Sequence, residues 1–356
     1  MANKHTSYDL KQMQSVPLQG KIIMTQQRIR QWYEHWEGQV YVGFSGGKDS
    51  TVLKHIVDSM YDDVPAVFVN TGLEYPEIQQ FVRSIKAGKY ECFNSDVEIV
   101  RPEMRFDEVI NKYGYPVVSK EVADTVYGAR HGGGTGKWKS TRLQRLRGEY
   151  LDKDGNKSAY NCEKWGFLLD APFEISDKCC KVMKKTPSRQ YAKETERKQI
   201  VGTMANESRL RYQKWLQHGC NAFDSSVPSS QPLSFWTEQD ILQYLKKYDV
   251  PYCSIYGEIV PISKGDQIEG QTTFDVLSED EGTLLKTTGC DRTGCIFCMF
   301  GCHLEKEPNR FQRLKVTHPK QYEYCIGGGE MVDGKWQPNK EGLGLGKVLD
   351  YIGVDY

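Results

Sequence analysis

Two groups of residues have the types and spacing to do chemistry: Ser45-Gly46-Gly47-Lys48-Asp49-Ser50, and the cysteines at 290, 295, 298 and 302. The first group is built to hold an anion. Paired glycines let backbone N–H groups approach a ligand oxygen, a helix starting there offers the positive end of its dipole, and lysine adds a full charge. A phosphate group needs all three. The spacing is neither that of a Walker A loop, whose glycines stand four residues apart, nor that of GxGxxG. An ordinary strand-to-helix turn using glycine for positive φ is the plain alternative, and it does not require this six-residue order. Asp49 has two readings: it orients a divalent cation on the phosphates, or it complements the helix N-terminus as an acid.

The second group, in "TGCDRTGCIFCMFGCH", puts four thiols in one short loop. Such density means metal ligands more often than packing. Zinc usually takes two CxxC pairs on separate knuckles, whereas one loop with three thiolates plus a distant fourth suits a 4Fe-4S iron-sulfur cluster. Zinc and redox thiols are the alternatives. Cys92, Cys162, Cys220 and Cys253 stand alone in the chain and read as buried fillers, and Cys325 in "YEYCIGGG" as a half-buried one.

The elements that must position these groups follow from periodicity. Residues 21–37 carry Ile22, Ile23, Ile29, Trp32, Tyr33 and Trp36 at near-helical spacing and lead into a strand, Val40 to Phe44. After the glycine turn, Val52, Leu53, Ile56, Val57 and Met60 form one helical stripe. "AVFVN" (66–70) reads as a strand, Pro76 suits the first turn of the next helix, and "VEIV" (97–100) and "QIVGTM" (199–204) read as further buried strands. Strand and helix alternate, which predicts an α/β fold: an open parallel sheet flanked by helices, with a smaller cysteine-rich C-terminal region. Thr237 and Asp240 predict a capping box, with Trp236 and Ile241 as its staple. The stretch 130–148 has glycines and then cations without an acid, and reads as a mobile basic loop or arm. The expected division is a helical segment over 1–38, a nucleotide-binding domain over 39–232 with a basic insertion near 130–148, and a helical and metal-cluster region over 233–356.

The turn at 45–50 resembles, without a mismatch, the SGGxDS signature of the PP-loop ATP pyrophosphatases, whose fold is adenine nucleotide α-hydrolase-like. "VFVNTGLEYPEI" (67–78) is similar to the phosphoadenosine phosphosulfate (PAPS) reductase and ATP sulfurylase branch, with Asn70 where that branch has Asp. "GTMANESRLR" (202–211) resembles the branch's third motif. The resemblance implies that ATP binds through Ser45, Gly46, Gly47, Lys48 and Ser50, that Glu207, Arg209 and Arg211 face the nucleotide, and that Lys48 and Asp49 are catalytic, with Mg²⁺ bridging the phosphates. Reductases that act on an already adenylated sulfate typically lack the lysine, so Lys48 points to ATP cleavage to AMP and pyrophosphate. Vicinal Cys179-Cys180 followed by Cys295 and Cys298 resemble the iron-sulfur adenylylsulfate reductases. Two adjacent residues on one cluster would strain the backbone, so the expected ligands are Cys180, Cys290, Cys295 and Cys298, with Cys179 and Cys302 in reserve. The Glu-Cys-Gly-Leu-His tail of the reductases is missing from "GLGLGKVLDYIGVDY".

Lysine plus arginine equals aspartate plus glutamate at 47 each in 356 residues, so global charge points neither to nucleic acid nor to an acidic surface. Local cations around "KWKSTRLQRLR" and "RFQRLKVTHPKQ", with Trp138 to stack, leave a nucleic-acid acceptor open beside the plainer reading of solvated faces. No stretch approaches the roughly 18 apolar residues of a membrane span, and the N-terminus lacks a signal-peptide core; a cytoplasmic protein without membrane contact is expected. In that compartment eleven cysteines are not structural disulfides. The leading expectation is an ATP-dependent enzyme that adenylates an acceptor and moves sulfur with an iron-sulfur cluster, drawing on a sulfur-donor or electron-donor protein. The DNA-phosphorothioation and tRNA-thiolation enzymes, which this combination resembles, make nucleic acid the implied acceptor. The rivals are a true PAPS or adenylylsulfate reductase and a non-catalytic nucleotide-sensing adaptor.

Overall fold

The structure, a computed structural model, describes residues 3–132, 137–262 and 283–356. Helix α1 (Ser7–Gln14) precedes α2 (Leu18–His35), which buries Ile22, Ile29 and Trp32 as expected, whereas Ile23, expected on the same apolar stripe, is exposed because it lies one position round the helix from Ile22. A reversal through Glu37 and Gly38, both at positive φ, delivers the chain to β1 (Val40–Gly43). Then α3 (Lys48–Asp58), β2 (Ala66–Val69), α4 (Pro76–Lys86) and β3 (Val97–Val100) alternate. Helices α5 (Phe106–Tyr113), α6 (Lys120–His131), α7 (Lys137–Arg147) and α8 (Thr186–Glu194) come before β4 (Lys198–Val201). The chain continues through α9 (Arg209–His218), β5 (Asn221–Ala222), β6 (Ser229–Ser230), α10 (Glu238–Lys247), β7 (Ile259–Pro261) and β8 (Leu285–Thr287). Helices α11 (Arg310–Thr317) and α12 (Pro319–Ile326), the hairpin β9 (Glu330–Val332) and β10 (Lys335–Gln337), and α13 (Leu345–Tyr351) close it.

Six of these strands form one sheet in the order β3-β2-β1-β4-β6-β5, parallel except for β5. Strands β1 and β2 are apolar on both faces, because helical crossovers cover each side. Val40 and Val42 of β1 are wholly buried, Val42 lies opposite Ala66 of β2, and Gly43 lies opposite Val201 of β4. The order reverses between β1 and β4. In an open α/β sheet the crevice for a ligand opens at such a point, beyond the carboxyl ends of the strands. Both the glycine turn after β1 and the third motif after β4 begin there.

The described chain packs as two units. The first comprises 1–70, 74–100 and 188–293, and holds the sheet. Its two buried lysine ammonium groups at 21 and 54 are paired: Lys21 of α2 gives both carboxylate oxygens of Asp240 a hydrogen bond, at 2.8 and 2.7 Å, and Lys54 binds Asp58 and the Asn94 carbonyl, each at 2.8 Å. The capping box expected at Thr237 is present, with the Asp240 amide on Thr237 Oγ1 at 3.3 Å and the Thr237 amide on Asp240 Oδ2 at 2.6 Å.

The second unit comprises 71–73, 101–187 and 294–356. Tyr115 reaches the Leu343 carbonyl at 2.8 Å, and Trp336 donates its amide to the Pro172 carbonyl at 2.6 Å. The Arg130 guanidinium gathers the carbonyls of Leu168, Leu169, Ala171 and Phe173 at 2.6–3.1 Å.

Residues 137–147 form helix α7, not a mobile loop, because Lys, Arg, Gln and Leu are good helix formers and the balancing acids lie on α6. Arg142 pairs with Asp124 at 3.1 Å, and Arg145 pairs with Glu121. Gly133, Gly134 and Gly136 lie outside the described residues, as does the side chain of Trp138. Cys92, expected inside, is exposed, and Cys162 is half-buried; Cys220, Cys253 and Cys325 are buried. Among the described residues, no helix is long and apolar enough to cross a membrane.

Candidate functional site

The turn after β1 is tied to the first turn of α3 by its own serines. The Ser45 amide donates to Ser50 Oγ at 3.2 Å, the two hydroxyls lie 3.0 Å apart, and Ser50 Oγ donates to the Gly47 carbonyl at 2.9 Å. Gly46 has φ +72°, and a Cβ there would come 2.8 Å from Ile78 Cγ2 and 3.0 Å from Val82 Cγ2 of α4. Both the backbone and the space demand glycine at this position. Gly47 occupies the N-cap and brings no side-chain oxygen to the open helix amides.

Lys48 begins α3 and is 2% exposed. Its ammonium donates to the Asp291 carbonyl at 2.6 Å, pairs with Glu238 at 3.2 Å and lies 5.2 Å from the centre of the Tyr256 ring. Its backbone amide donates to the Tyr256 hydroxyl at 3.1 Å, and that hydroxyl is 2.7 Å from Thr293 Oγ1. Tyr256, Glu238, Asp291 and Thr293 are therefore part of the neighbourhood that sequence reasoning missed. Tyr256 stands 208 residues from Lys48, and no local pattern links the two.

Asp49 follows, with Oδ1 buried, 3.9 Å from Lys48 Nζ and without a hydrogen bond among the described residues. Burial pushes its carboxyl up to about 6, Lys48 and Arg292 oppose the rise, and Glu207 and Glu238 add to it. An orphaned buried carboxylate oxygen among other acids is the chemistry a divalent cation satisfies.

The third motif leaves β4 at Gly202, where a Cβ would meet the Asp49 carbonyl at 2.9 Å, so the motif starts against the glycine turn. Glu207 caps the Met204 amide at 2.7 Å and pairs with Arg211 one helical turn on. Arg211 is thus held by Glu207, and Arg209 is exposed at the start of α9.

Of the expected cluster ligands, Cys180, Cys295 and Cys298 lie in the second unit and Cys290 in the first. Cys179 donates to Cys180 Sγ at 3.9 Å ahead of a short π-helix, Lys181–Lys185. That hydrogen bond, helped by Lys120, Lys184 and Lys185, brings the Cys180 thiol down to about 6. The same contact raises Cys179, which also feels Cys298 and Cys295. Cys302 is buried, donates to the Met299 carbonyl at 3.0 Å and is pushed up to about 11 by burial. Among the described residues, no three His, Cys, Asp or Glu side chains stand together as a metal-ion site.

Residues 39–126 and 145–300 match the family described as Phosphoadenosine phosphosulfate reductase domain. Two relatives named Phosphoadenosine 5'-phosphosulfate reductase align over most of their length. The Alkalilimnicola ehrlichii protein is 22% identical over 76% of this chain and 86% of its own, and the Vibrio campbellii protein 23% identical over 73% and 77%. Uncharacterized protein MJ0973 of Methanocaldococcus jannaschii is 34% identical over 25% of this chain, which spans only 21% of that relative. Among solved structures, phosphoadenylyl-sulfate (PAPS) reductase from Candida auris, in a phosphate complex, aligns over 71% of this chain and 92% of that one, at 14% identity and a TM-score of 0.36. With a match running through most of its sheet and both motif-bearing turns, the chain belongs to the phosphoadenosine phosphosulfate reductase domain family.

Proposed function

We propose that this family member binds ATP at the 45–50 turn, cleaves it to AMP and pyrophosphate, and passes the adenylyl group to an acceptor that then takes up sulfur. The observation that carries the reading is Lys48 in an unbroken Ser-Gly-Gly-Lys-Asp-Ser turn at the crevice between β1 and β4. In the reaction an acceptor oxygen attacks the α-phosphorus, the bond to the bridging oxygen breaks, and pyrophosphate leaves with the electron pair. Lys48 and the turn's amides stabilise charge on that leaving group. Asp49, with its unpartnered oxygen, would hold Mg²⁺, which when bound would neutralise charge on the phosphates. Arg209, exposed beyond β4, and Arg211, when it parts from Glu207, supply further cations for the nucleotide.

For an iron-sulfur cluster the donor chemistry fits in part. Cys180 is biased toward thiolate by its neighbours, and Cys180, Cys295 and Cys298 share one electrostatic environment. Those three thiols of the second unit would hold the group, which when bound supplies electrons or sulfide.

The test is pyrophosphate release from Mg-ATP with sulfate, DNA or tRNA as acceptor. Lys48→Ala is expected to lower the rate by roughly 10²–10³-fold, the scale for losing one charge-stabilising group. A second reading, a PAPS or adenylylsulfate reductase, is favoured by the names of the two relatives that align over most of their length. Sulfite release from PAPS with thioredoxin, without pyrophosphate from ATP, would select it.

A further inference from the structure

We propose that Tyr256, Asp291 and Thr293 form a latch on the glycine turn, which a phosphate chain must displace, so that filling the site and releasing the segment that carries Cys290 are one event. The proposal rests on the reading of the turn as a phosphate site. The donor that an anion at the start of α3 would use, the Lys48 amide, already serves the Tyr256 hydroxyl at 3.1 Å. One amide hydrogen has room for one acceptor at that distance, so phenol and phosphate oxygens compete for it. The lysine is engaged as well, on the Asp291 carbonyl at 2.6 Å and on Glu238 at 3.2 Å. Over Gly47 the cover is close: a Cβ there would lie 3.1 Å from the Tyr256 hydroxyl oxygen and 3.2 Å from Thr293 Oγ1.

The two covering segments are locked to each other. Amides of Thr288, Gly289 and Cys290 donate to the carbonyls of Glu258, Tyr256 and Ile255 at 3.0, 2.9 and 3.0 Å. A Cβ on Gly257 would lie 2.3 Å from Thr288 Oγ1, and one on Gly289 would lie 2.4 Å from the Ile255 carbonyl oxygen. Tyr256 and residues 288–293 therefore move as a block, and Cys290 moves with them. Phosphate is the stronger competitor, since hydrogen bonds to an ionised acceptor are roughly twice as strong as those between neutral groups. Reciprocity follows: whatever holds Cys290 in place weakens nucleotide binding by the same factor by which nucleotide loosens it.

The plainer account makes Tyr256 a permanent cap for α3, and the two accounts predict opposite results. Calorimetric titration of inorganic pyrophosphate and of ATP into full-length wild type, Tyr256→Phe and Thr293→Val separates them. The latch predicts that Tyr256→Phe binds pyrophosphate about fivefold more tightly, the scale of the one net hydrogen bond to the Lys48 amide no longer broken on binding, and that Thr293→Val, which removes the partner that positions the Tyr256 hydroxyl, also binds more tightly than wild type. Binding by the variants alone would support it most strongly. Equal or weaker binding by the variants, with wild type still binding, overturns the latch and leaves the phosphate site standing. No heat with either ligand in any of the three proteins overturns the phosphate site, and the latch with it. Tyr256 is buried, so if Tyr256→Phe fails to fold, Thr293→Val alone separates latch from cap by the same comparison.

Discussion

Between about pH 4 and pH 6 the folded chain holds a proton on Asp49 that the unfolded chain has released, because burial pushes that carboxyl from 3.8 up to about 6. The native state binds the extra proton, so stability falls as pH rises through the window and stays at the lower level above it. Asp49→Asn is free of this penalty. It is expected to be more stable than wild type by up to about 3 kcal/mol at pH 7 and by almost nothing below pH 4, read as denaturation midpoints at both values. A gain of equal size at both would show that burial of the charge is not its source. The conformation of the turn is legible at this scale, because a glycine at positive φ between a strand and a helix is a local signal, as Gly46 at φ +72° shows. Tyr256 is not, since its partnership with Lys48 is made by folding.

At the scale of elements, Gly46 and Asp240 carry the sharpest expectations. Gly46→Ala puts an L side chain at φ +72° and pushes a methyl group into Ile78 and Val82. It should cost at least about 1 kcal/mol by backbone strain alone and lower pyrophosphate affinity, both measurable by urea titration and calorimetry. Asp240→Ala leaves Lys21 buried without its partner and removes half of the Thr237 capping box. A loss of about 3–5 kcal/mol is expected, and a melting temperature within a degree or two of wild type would contradict the assignment of that pair as structural. The cap itself is readable from Thr237 and Asp240 three residues apart, whereas Lys21 lies 219 residues from its partner and has no local signature. Helix α7 escapes sequence reasoning on related grounds: Arg142 and Arg145 find their acids 18 and 24 residues back, on another helix.

For the whole molecule, alternation of strand and helix is enough to imply a parallel α/β sheet, because each crossover must cover a face of it. Periodicity has nothing to say about which distant stretches share a core. The second unit draws on both 101–187 and 294–356, joined by Tyr115 to Leu343, by Pro172 to Trp336, and by the Phe173 and Tyr351 rings 5.4 Å apart. Deleting 294–356 is therefore expected to leave 101–187 without a cooperative fold, seen as rapid proteolysis of that stretch. Protection equal to that in the full chain would count against the shared core.

Each unit is assembled from three separated stretches, which also bears on inheritance. A recombination point anywhere between residues 71 and 293 would part both hydrophobic interiors at once, so shuffling can pass these two bodies on only as a single cassette. Gene fusions that keep them working should accordingly add new segments outside that span.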